Sequence, residues 1–194
     1  MRLILLGPPG AGKGTQSVLM SERFQIPHLS TGEILRAACA EKTAVGHQAD
    51  EYMDRGDLVP DDMVQKIVFT ELSLPACKRG YILDGFPRTV PQAEEFDRWL
   101  AEHGCALSLV LKFSVTEEVL LKRLAGRGRE DDNREIVKQR MRQYLDLTKP
   151  LVDYYQHSGV LRRVQGGQGT AEEVFASIQQ IVDNLPEGNQ HAKS

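Results

Sequence analysis

The amino-acid sequence predicts an α/β fold in which helices cover both faces of a parallel sheet. Short apolar runs with the character of strands alternate along the chain with segments that carry apolar residues at helical spacing. Parallel neighbours need a long crossover between them, and a helix is the usual crossover. The length of 194 residues suits one domain of this class and is enough to bury a full core.

Five segments have the composition of strands, and the second of them is the weakest. They are RLILL at 2–6, Pro27–Leu29, YILD at 81–84, LSLVLKF at 107–113 and VLRRV at 160–164. Helical spacing is found in residues 33–42, 61–72, 91–103, 116–125, 134–157 and 171–184.

Two segments do not fit the pattern of a core and are predicted to be excursions from it. Residues 30–59 are helical but small and polar, and residues 126–133 form a short charged loop. The core of a single domain spanning 1–184 is then formed by residues 1–29, 60–125 and 134–184. Residues 185–194 are polar without periodicity, so we expect a disordered tail.

Composition excludes several classes of protein. A net charge of −3 and a pI near 6.0 give no support for a nucleic-acid partner. No apolar run could serve as a signal peptide or span a membrane. Cys39, Cys77 and Cys105 lack the spacing of a zinc site, and their odd number suits reduced thiols. We therefore expect a soluble, cytoplasmic protein.

The first strand runs directly into GPPGAGKGT at residues 7–15. Gly7, Gly10 and Gly12 can adopt backbone angles closed to other residues, so that successive N–H groups surround an anion. Lys13 adds a cation, and a helix starting near Gly14 would direct its positive dipole end at the same anion. This is a phosphate-binding loop. It departs from the common consensus because Gly14 stands where GTPases and most ATPases have a hydroxyl.

Further charged residues occur where a phosphate site would need them. Asp84 ends a buried strand, at the edge of the sheet where such folds bind ligands, and suits a group that orients the water shell of magnesium. Arg88 follows Pro87, which stiffens the turn. A later arginine set consists of Arg123, Arg127, Arg129 and Arg140. Together these charges indicate substrates that carry several phosphates.

In this order, the segments resemble the adenylate kinase family of nucleoside monophosphate kinases, whose phosphate loop also reads GKGT. The matching segments are GPPGAGKGTQ, LSTGEILR, GDLVPDD, ILDGFPRT with Gln92, LAGRGREDDN and QRMRQY. The resemblance implies a P-loop NTPase fold with a five-stranded parallel sheet, a nucleoside monophosphate-binding excursion at 30–59 and a short lid at 126–133. It also implies the reaction MgATP + AMP ⇌ MgADP + ADP.

The resemblance also assigns roles to individual residues by motif. ATP would be bound by Gly10, Ala11, Gly12, Lys13, Gly14, Thr15, Arg123, Arg127 and Gln168. AMP would be bound by Thr31, Arg36, Asp57, Leu58, Val59, Gly85, Phe86, Pro87, Arg88, Gln92, Arg129 and Arg140. The catalytic groups would be Lys13, Asp84, Arg88, Arg129 and Arg140.

The expected cofactor is Mg²⁺, held by nucleotide phosphates and water rather than by a direct protein ligand, with Asp84 behind the water. The lid lacks the long insertion that carries a four-cysteine zinc site in many bacterial members, so no structural zinc is expected. The expected partners are ATP, AMP and ADP, with neither nucleic acid nor membrane, and the resemblance implies a monomer.

Two alternatives remain open at this point. A UMP/CMP kinase shares the phosphate loop and most arginines, and Gln92 favours adenine because its amide can both donate and accept at the edge of that base. A regulatory module that binds nucleotide without catalysis is the second alternative. A GTPase is disfavoured because TKPL at 148–151 lacks the acid of the guanine motif.

Overall fold

The computed structural model describes residues 1–126 and 134–185 and contains the predicted five-stranded parallel sheet. The strands are β1 Arg2–Leu6, β2 His28–Ser30, β3 Tyr81–Asp84, β4 Leu109–Ser114 and β5 Leu161–Gln165. The helices are α1 Lys13–Phe24, α2 Thr31–Ala40, α3 Ala44–Arg55, α4 Asp61–Leu72, α5 Val90–Glu102, α6 Glu117–Ala125, α7 Arg134–Gln143, α8 Leu151–His157 and α9 Ala171–Asp183. A short 3₁₀ helix, Pro75–Cys77, precedes β3, and a π-helical turn, Tyr144–Thr148, follows α7.

The strand order β2-β3-β1-β4-β5 places β1 at the centre of the sheet. In the parallel register Leu5 lies beside Asp84, and Ser30 lies on the other side of Asp84. The segments that follow β1, β2 and β3 therefore leave the same edge of the sheet together. This topology brings the phosphate loop, the start of α2 and Asp84 to one place, as expected for a ligand site at the carboxyl ends of parallel strands.

Both faces of the sheet are buried, each in its own hydrophobic core. Ile4 and Leu6 pack with α4, α5 and α8 residues on one face, while Leu3 and Leu5 pack with α1 and α9 residues on the other. Successive side chains of a strand point to opposite faces, so a run as apolar as β1 is what a doubly covered strand requires. The buried centre of the sheet thus leads directly into the phosphate loop.

The predicted helix over 134–157 is interrupted. After α7 the backbone widens into the π-helical turn, where the Lys149 N–H donates to the carbonyl of Tyr144 at 2.8 Å. Pro150, which has no N–H to continue that hydrogen-bond pattern, then precedes α8. The turn carries Thr148, whose hydroxyl donates to the carbonyl of Arg88 at 2.9 Å. The interruption therefore ties this segment to the loop after β3.

No helix within residues 1–126 or 134–185 is long and apolar enough to cross a membrane. The boundaries of β1, β3 and α4 coincide with the predicted ones, and those of most other elements differ by a few residues. The weakest strand prediction, at Pro27–Leu29, corresponds to β2, and α2 begins at Thr31 with the Ser30 hydroxyl accepting from the N–H of Glu33 at 3.3 Å.

Candidate active site

The phosphate loop depends on two glycines with positive φ. Gly10 has φ +80° and Gly12 has φ +93°, in the left-handed region that favours glycine. Gly12 is also the N-cap of α1, which starts at Lys13 without a capping side chain among the described residues. The first N–H groups of α1 are therefore oriented to bind an anion.

Gly7 has a different role from the one predicted for it, since its φ is not in the left-handed region. A Cβ at this position would lie 3.1 Å from the Cβ of Phe113 and 3.3 Å from that of Ala11. Its lack of a side chain is needed for the close approach of the loop to β4 rather than for backbone freedom.

Lys13 reaches back across the phosphate loop. Its Nζ donates to the carbonyls of Gly7 at 2.9 Å and Pro8 at 3.3 Å. The same nitrogen lies 3.9 Å from a carboxylate oxygen of Asp84. The loop therefore holds a cation and the sheet holds an anion at one partly buried point, the pairing needed to bind a phosphate together with a hydrated cation.

His28 also approaches Asp84, although the sequence analysis assigned it no role. Its Nε2 lies 4.0 Å from the second carboxylate oxygen and is buried without a hydrogen-bond partner among the described residues. Because β2 pairs with β3, the strand register brings His28 close to Asp84. The sequence alone does not fix that register, so it did not indicate this neighbour.

A single cavity of about 840 Å³ unites most of the predicted site residues. Its lining includes Gly10, Ala11, Gly12, Lys13, Gly14, Thr15, Thr31, Arg36, Asp57, Leu58, Val59, Asp84, Gly85, Pro87, Arg88, Gln92, Arg123 and Arg140. Phe86 does not line it and is fully buried in the core. Gln168 is exposed outside the lining, whereas its neighbours Gly166 and Gly169 contribute to it. Arg127 and Arg129 lie outside the described residues.

Arg88 is held at the centre of a cationic group. Its Nε donates to the carbonyl of Gly85 at 2.8 Å. Burial lowers the pKa of the Arg88 guanidinium, the charges of Arg140 and Arg36 lower it further, and Asp84 opposes the shift. Arginine nevertheless stays protonated at neutral pH. Three positive charges that repel one another inside a cavity are a site prepared for a polyanion.

Gly85 allows Thr31 to reach the loop after β3. The Thr31 hydroxyl donates to the carbonyl of Gly85 at 2.9 Å, and Thr31 is buried. Gly85 has φ +88°, and a Cβ there would lie 2.6 Å from the Thr31 oxygen. A larger residue at position 85 would therefore push the start of α2 away from the loop after β3.

Gln92 is held by a network that the sequence analysis missed. Its Oε1 accepts from the backbone N–H of Arg88 at 2.7 Å, and its Nε2 donates to Asp61 at 2.6 Å. Thr89 donates to the other Asp61 oxygen at 2.8 Å. One N–H and one lone pair of the amide remain for a ligand. Asp61 is the first residue of α4 and lies within the segment GDLVPDD. An acid favours the start of any helix, so nothing in the sequence indicated its hydrogen bond to Gln92 separately.

Within the described ranges, no cluster of three or more His, Cys, Asp or Glu side chains could hold a metal ion. One carboxylate, Asp84, faces the phosphate loop instead. This donor set fits a cation that arrives with a nucleotide and keeps its water, because such a cation needs few direct protein ligands.

Comparison with known proteins agrees with this geometry. A family model described as adenylate kinase matches residues 5–160. The chain belongs to the adenylate kinase family. An adenylate kinase of Mycobacteroides abscessus is 48% identical over 182 residues, covering 94% of this chain and 99% of that protein. Adenylate kinases of Leptospira biflexa and Mycobacterium tuberculosis are also 48% identical, over 181 and 176 residues, covering 91% of this chain and 97% and 96% of those proteins.

Family membership confirms the predicted fold and the predicted class of enzyme. The protein is a nucleoside monophosphate kinase, a transferase that moves a phosphoryl group between ATP and AMP. Neither a UMP/CMP kinase nor a regulatory nucleotide-binding module is favoured by these relatives.

Proposed function

We propose that the protein transfers the terminal phosphoryl group of MgATP to AMP inside the 840 Å³ cavity, with both nucleotides bound at once. The observation that carries this proposal is the convergence of Lys13, Arg36, Arg88 and Arg140 on one cavity beside the uncapped start of α1. Four cations and a helix N-terminus exceed what one monophosphate requires, and suit two phosphorylated substrates.

The two nucleotides would occupy opposite ends of the cavity. The phosphate loop from Gly10 to Thr15, with Arg123, would take ATP, and the Arg123 guanidinium donates to the carbonyl of Ala11 at 3.4 Å, next to that loop. Thr31, Arg36 and the loop at Asp57–Val59 would take AMP, with Gln92 at its base. Arg127, Arg129 and Gln168 remain proposed contacts on the basis of their motifs.

No protein nucleophile is needed, because the acceptor is already a phosphate oxygen of AMP. Catalysis then consists of holding donor and acceptor in line and of stabilising the charge that spreads over the moving group. Lys13, Arg88 and Arg140 would supply that charge, with Arg129 as a further proposed contributor. Bound Mg²⁺ would neutralise the ATP phosphates, and Asp84 would orient its water from beside Lys13.

Water would compete with AMP as acceptor, so we propose that residues 30–59 and 126–133 act as excursions that close over the substrates. The first of them is already anchored to α7, because Asp57 accepts from Gln139 at 2.8 Å and from Gln143 at 3.3 Å. We further propose a cytoplasmic monomer that acts on nucleotides without nucleic acid or membrane.

A coupled assay that offers ATP with AMP, CMP, UMP or GMP in turn tests the proposal. The expected result is ADP formation with a kcat/KM for AMP at least about 100-fold above that for the other acceptors, because a lost pair of hydrogen bonds to a base leaves buried polar groups unpaired. Equal rates with AMP and CMP would contradict the adenine preference. The absence of transfer to any monophosphate would contradict the assignment as a kinase.

A further inference from the structure

A second cavity of about 520 Å³ lies against the first and is not used by the proposed reaction. The two cavities share Phe113 and Tyr144, and the second reaches Pro8 of the phosphate loop. Its floor is the carboxyl end of β4 and β5, and its wall is the π-helical turn with α8. It is therefore a separate chamber beside the active site.

Three cations line this second cavity. Lys112 of β4 and Arg163 of β5 are partners in the parallel register, so their side chains leave the same face of the sheet side by side. Lys149, just after the π-helical turn, lines the cavity from the opposite wall. The lining also contains two acids, Glu117 and Asp153.

None of the three cations forms an ion pair within the part of the chain that the structure describes. The Lys112 Nζ donates to the Ser114 hydroxyl at 3.0 Å, and Arg163 donates to the side-chain oxygen of Gln156 at 3.2 Å. Both partners are neutral side chains, so these hydrogen bonds do not compensate the positive charges. Lys149 and Arg163 are exposed, whereas Lys112 is partly buried, and a partly buried cation without a carboxylate partner calls for a reason.

The three charges also act on one another. Partial burial lowers the pKa of Lys112, and the charges of Arg163 and Lys149 lower it further. Placing the charged Lys112 side chain in the cavity therefore costs free energy, and the two neighbouring cations increase that cost. An anion between them would reverse the sign of the interaction.

The rest of the lining is apolar. The cavity is also lined by Val115, Leu120, Met141 and Val152, and by Leu145, whose side chain is half exposed. Methionine adapts its shape to irregular partners, and such side chains favour an apolar ligand body over a bare inorganic ion.

We propose that the second cavity binds a small organic anion, whose phosphate, carboxylate or sulfonate group lies between Lys112, Lys149 and Arg163 and whose apolar body packs on Met141 and Leu145. This site is distinct from the nucleotide site and goes beyond the proposed function. Each cation would contribute a charge-assisted hydrogen bond, so each should matter to affinity.

The test uses the full chain with the nucleotide site filled by two adenosines joined through five phosphates. Fluorescence titration with 8-anilinonaphthalene-1-sulfonate then reports binding of an apolar anion elsewhere. We expect one bound probe per chain, and we expect Lys112→Met and, independently, the exposed Lys149→Met to weaken binding about tenfold, the usual effect of one charge-assisted hydrogen bond.

Two controls distinguish the proposed site from non-specific hydrophobic binding of the probe. Arg162→Met removes the same charge from the next position of β5, which faces the opposite side of the sheet, and should leave the affinity unchanged. N-phenyl-1-naphthylamine has the same rings without the sulfonate and should bind at least about tenfold more weakly than the sulfonate. Equal affinity in all the variants, equal affinity for the uncharged probe, or no binding to the nucleotide-saturated protein would overturn the proposal.

Discussion

The side chain of Lys13 links the phosphate loop to the carboxyl end of β3. Its Nζ contacts two loop carbonyls, at Gly7 and Pro8, and stands 3.9 Å from Asp84. In this position the ammonium can neutralise a phosphate without its own stem moving, because the loop carbonyls already hold it.

Replacing Lys13 by Met should lower kcat by about 100-fold or more, because one preorganised cation is lost from the transition state. The urea unfolding free energy should change far less, since the hydrogen bonds lost are partly exposed. Steady-state kinetics and urea titration measure the two effects. Lys78→Met, at an exposed position outside the cavity, is the control for loss of a positive charge. Turnover of Lys13→Met near that of the control would contradict the role assigned to Lys13.

Gln92 should select the acceptor base, and Asp61 should position Gln92. Replacing Gln92 by Ala should cost about 1–3 kcal/mol in kcat/KM for AMP and little for CMP, because only adenine uses that amide. Asp61→Asn should lower the AMP/CMP ratio in the same direction, since one of the two oxygens that accept from Gln92 and Thr89 is replaced by an NH2 group, which cannot accept. Asp62→Asn, at the exposed neighbouring position, should leave the ratio unchanged. An unchanged ratio in Gln92→Ala would exclude the base contact.

Sequence reasoning found the residues whose chemistry is visible in a short motif. Lys13, Asp84 and Arg88 each stand beside glycine or proline in a recognisable order, and all line the cavity. Asp61 and His28 were missed because their roles depend on which segments become neighbours. That information resides in the strand register and in the angle at which α4 begins, not in local spacing.

Among the elements, α3 and α7 are joined by one carboxylate. Asp57, just past the end of α3, accepts from Gln139 and Gln143 of α7 and from Arg55 at 3.3 Å. Gly56 makes this approach possible, since a Cβ there would lie 3.0 Å from the carbonyl of Ile136. The contact fixes the excursion at 30–59 against the segment that carries Arg140.

The hydrogen bond from Gln139, above all, holds the pKa of Asp57 below its usual 3.8, with Arg55 adding to the effect. A depressed folded-state pKa means that the contribution of Asp57 to stability is complete above pH 3.8 and is lost as pH falls through the lower folded-state value. Asp57→Asn should therefore destabilise the protein by about 1 kcal/mol at pH 7, because the bonds from Gln139 and Gln143 lose their charge assistance and the new NH2 group cannot accept from Arg55. The difference from wild type should shrink below pH 3.8.

Urea unfolding of wild type and Asp57→Asn at pH 7, 5 and 3 measures this dependence. Asp54→Asn, at an exposed position of α3, removes a carboxylate that makes no such contact with α7 and is the matched control. A difference of constant size at all three pH values would show that the charge of Asp57 does not carry the contact between α3 and α7.

At the level of elements, periodicity predicted where helices occur but not where they are interrupted. The segment 134–157 has helical spacing throughout, yet α7 and α8 are separated by the π-helical turn. Pro150 gave a local reason for a break, whereas the hydrogen bond from Thr148 to Arg88 that accompanies it is a tertiary contact. Such a contact has no counterpart in the spacing of apolar residues.

The molecule as a whole is organised around β1, which is the central strand of the sheet and whose loop lines the 840 Å³ cavity. The order β2-β3-β1-β4-β5 places the residues proposed to bind AMP after β2 and β3, and places Arg123 after β4. A parallel sheet directs all of these segments to one edge, so a single cavity can accept two ligands from opposite sides.

A ligand with two adenosines joined by five phosphates should therefore stabilise the protein more than ATP and AMP do at the same concentrations, because one binding event meets both ends of the cavity. Arg36→Met should weaken AMP binding about tenfold and leave ATP binding unchanged, and Arg123→Met should do the reverse, since each guanidinium is proposed to contact one nucleotide only. Both variants should weaken binding of the joined ligand. Thermal unfolding with each ligand in wild type, both variants and the exposed control Arg98→Met provides the measurement. If Arg36→Met and Arg123→Met weaken ATP and AMP equally, the cavity does not divide into two nucleotide sites, and the proposed assignment of its two ends is wrong.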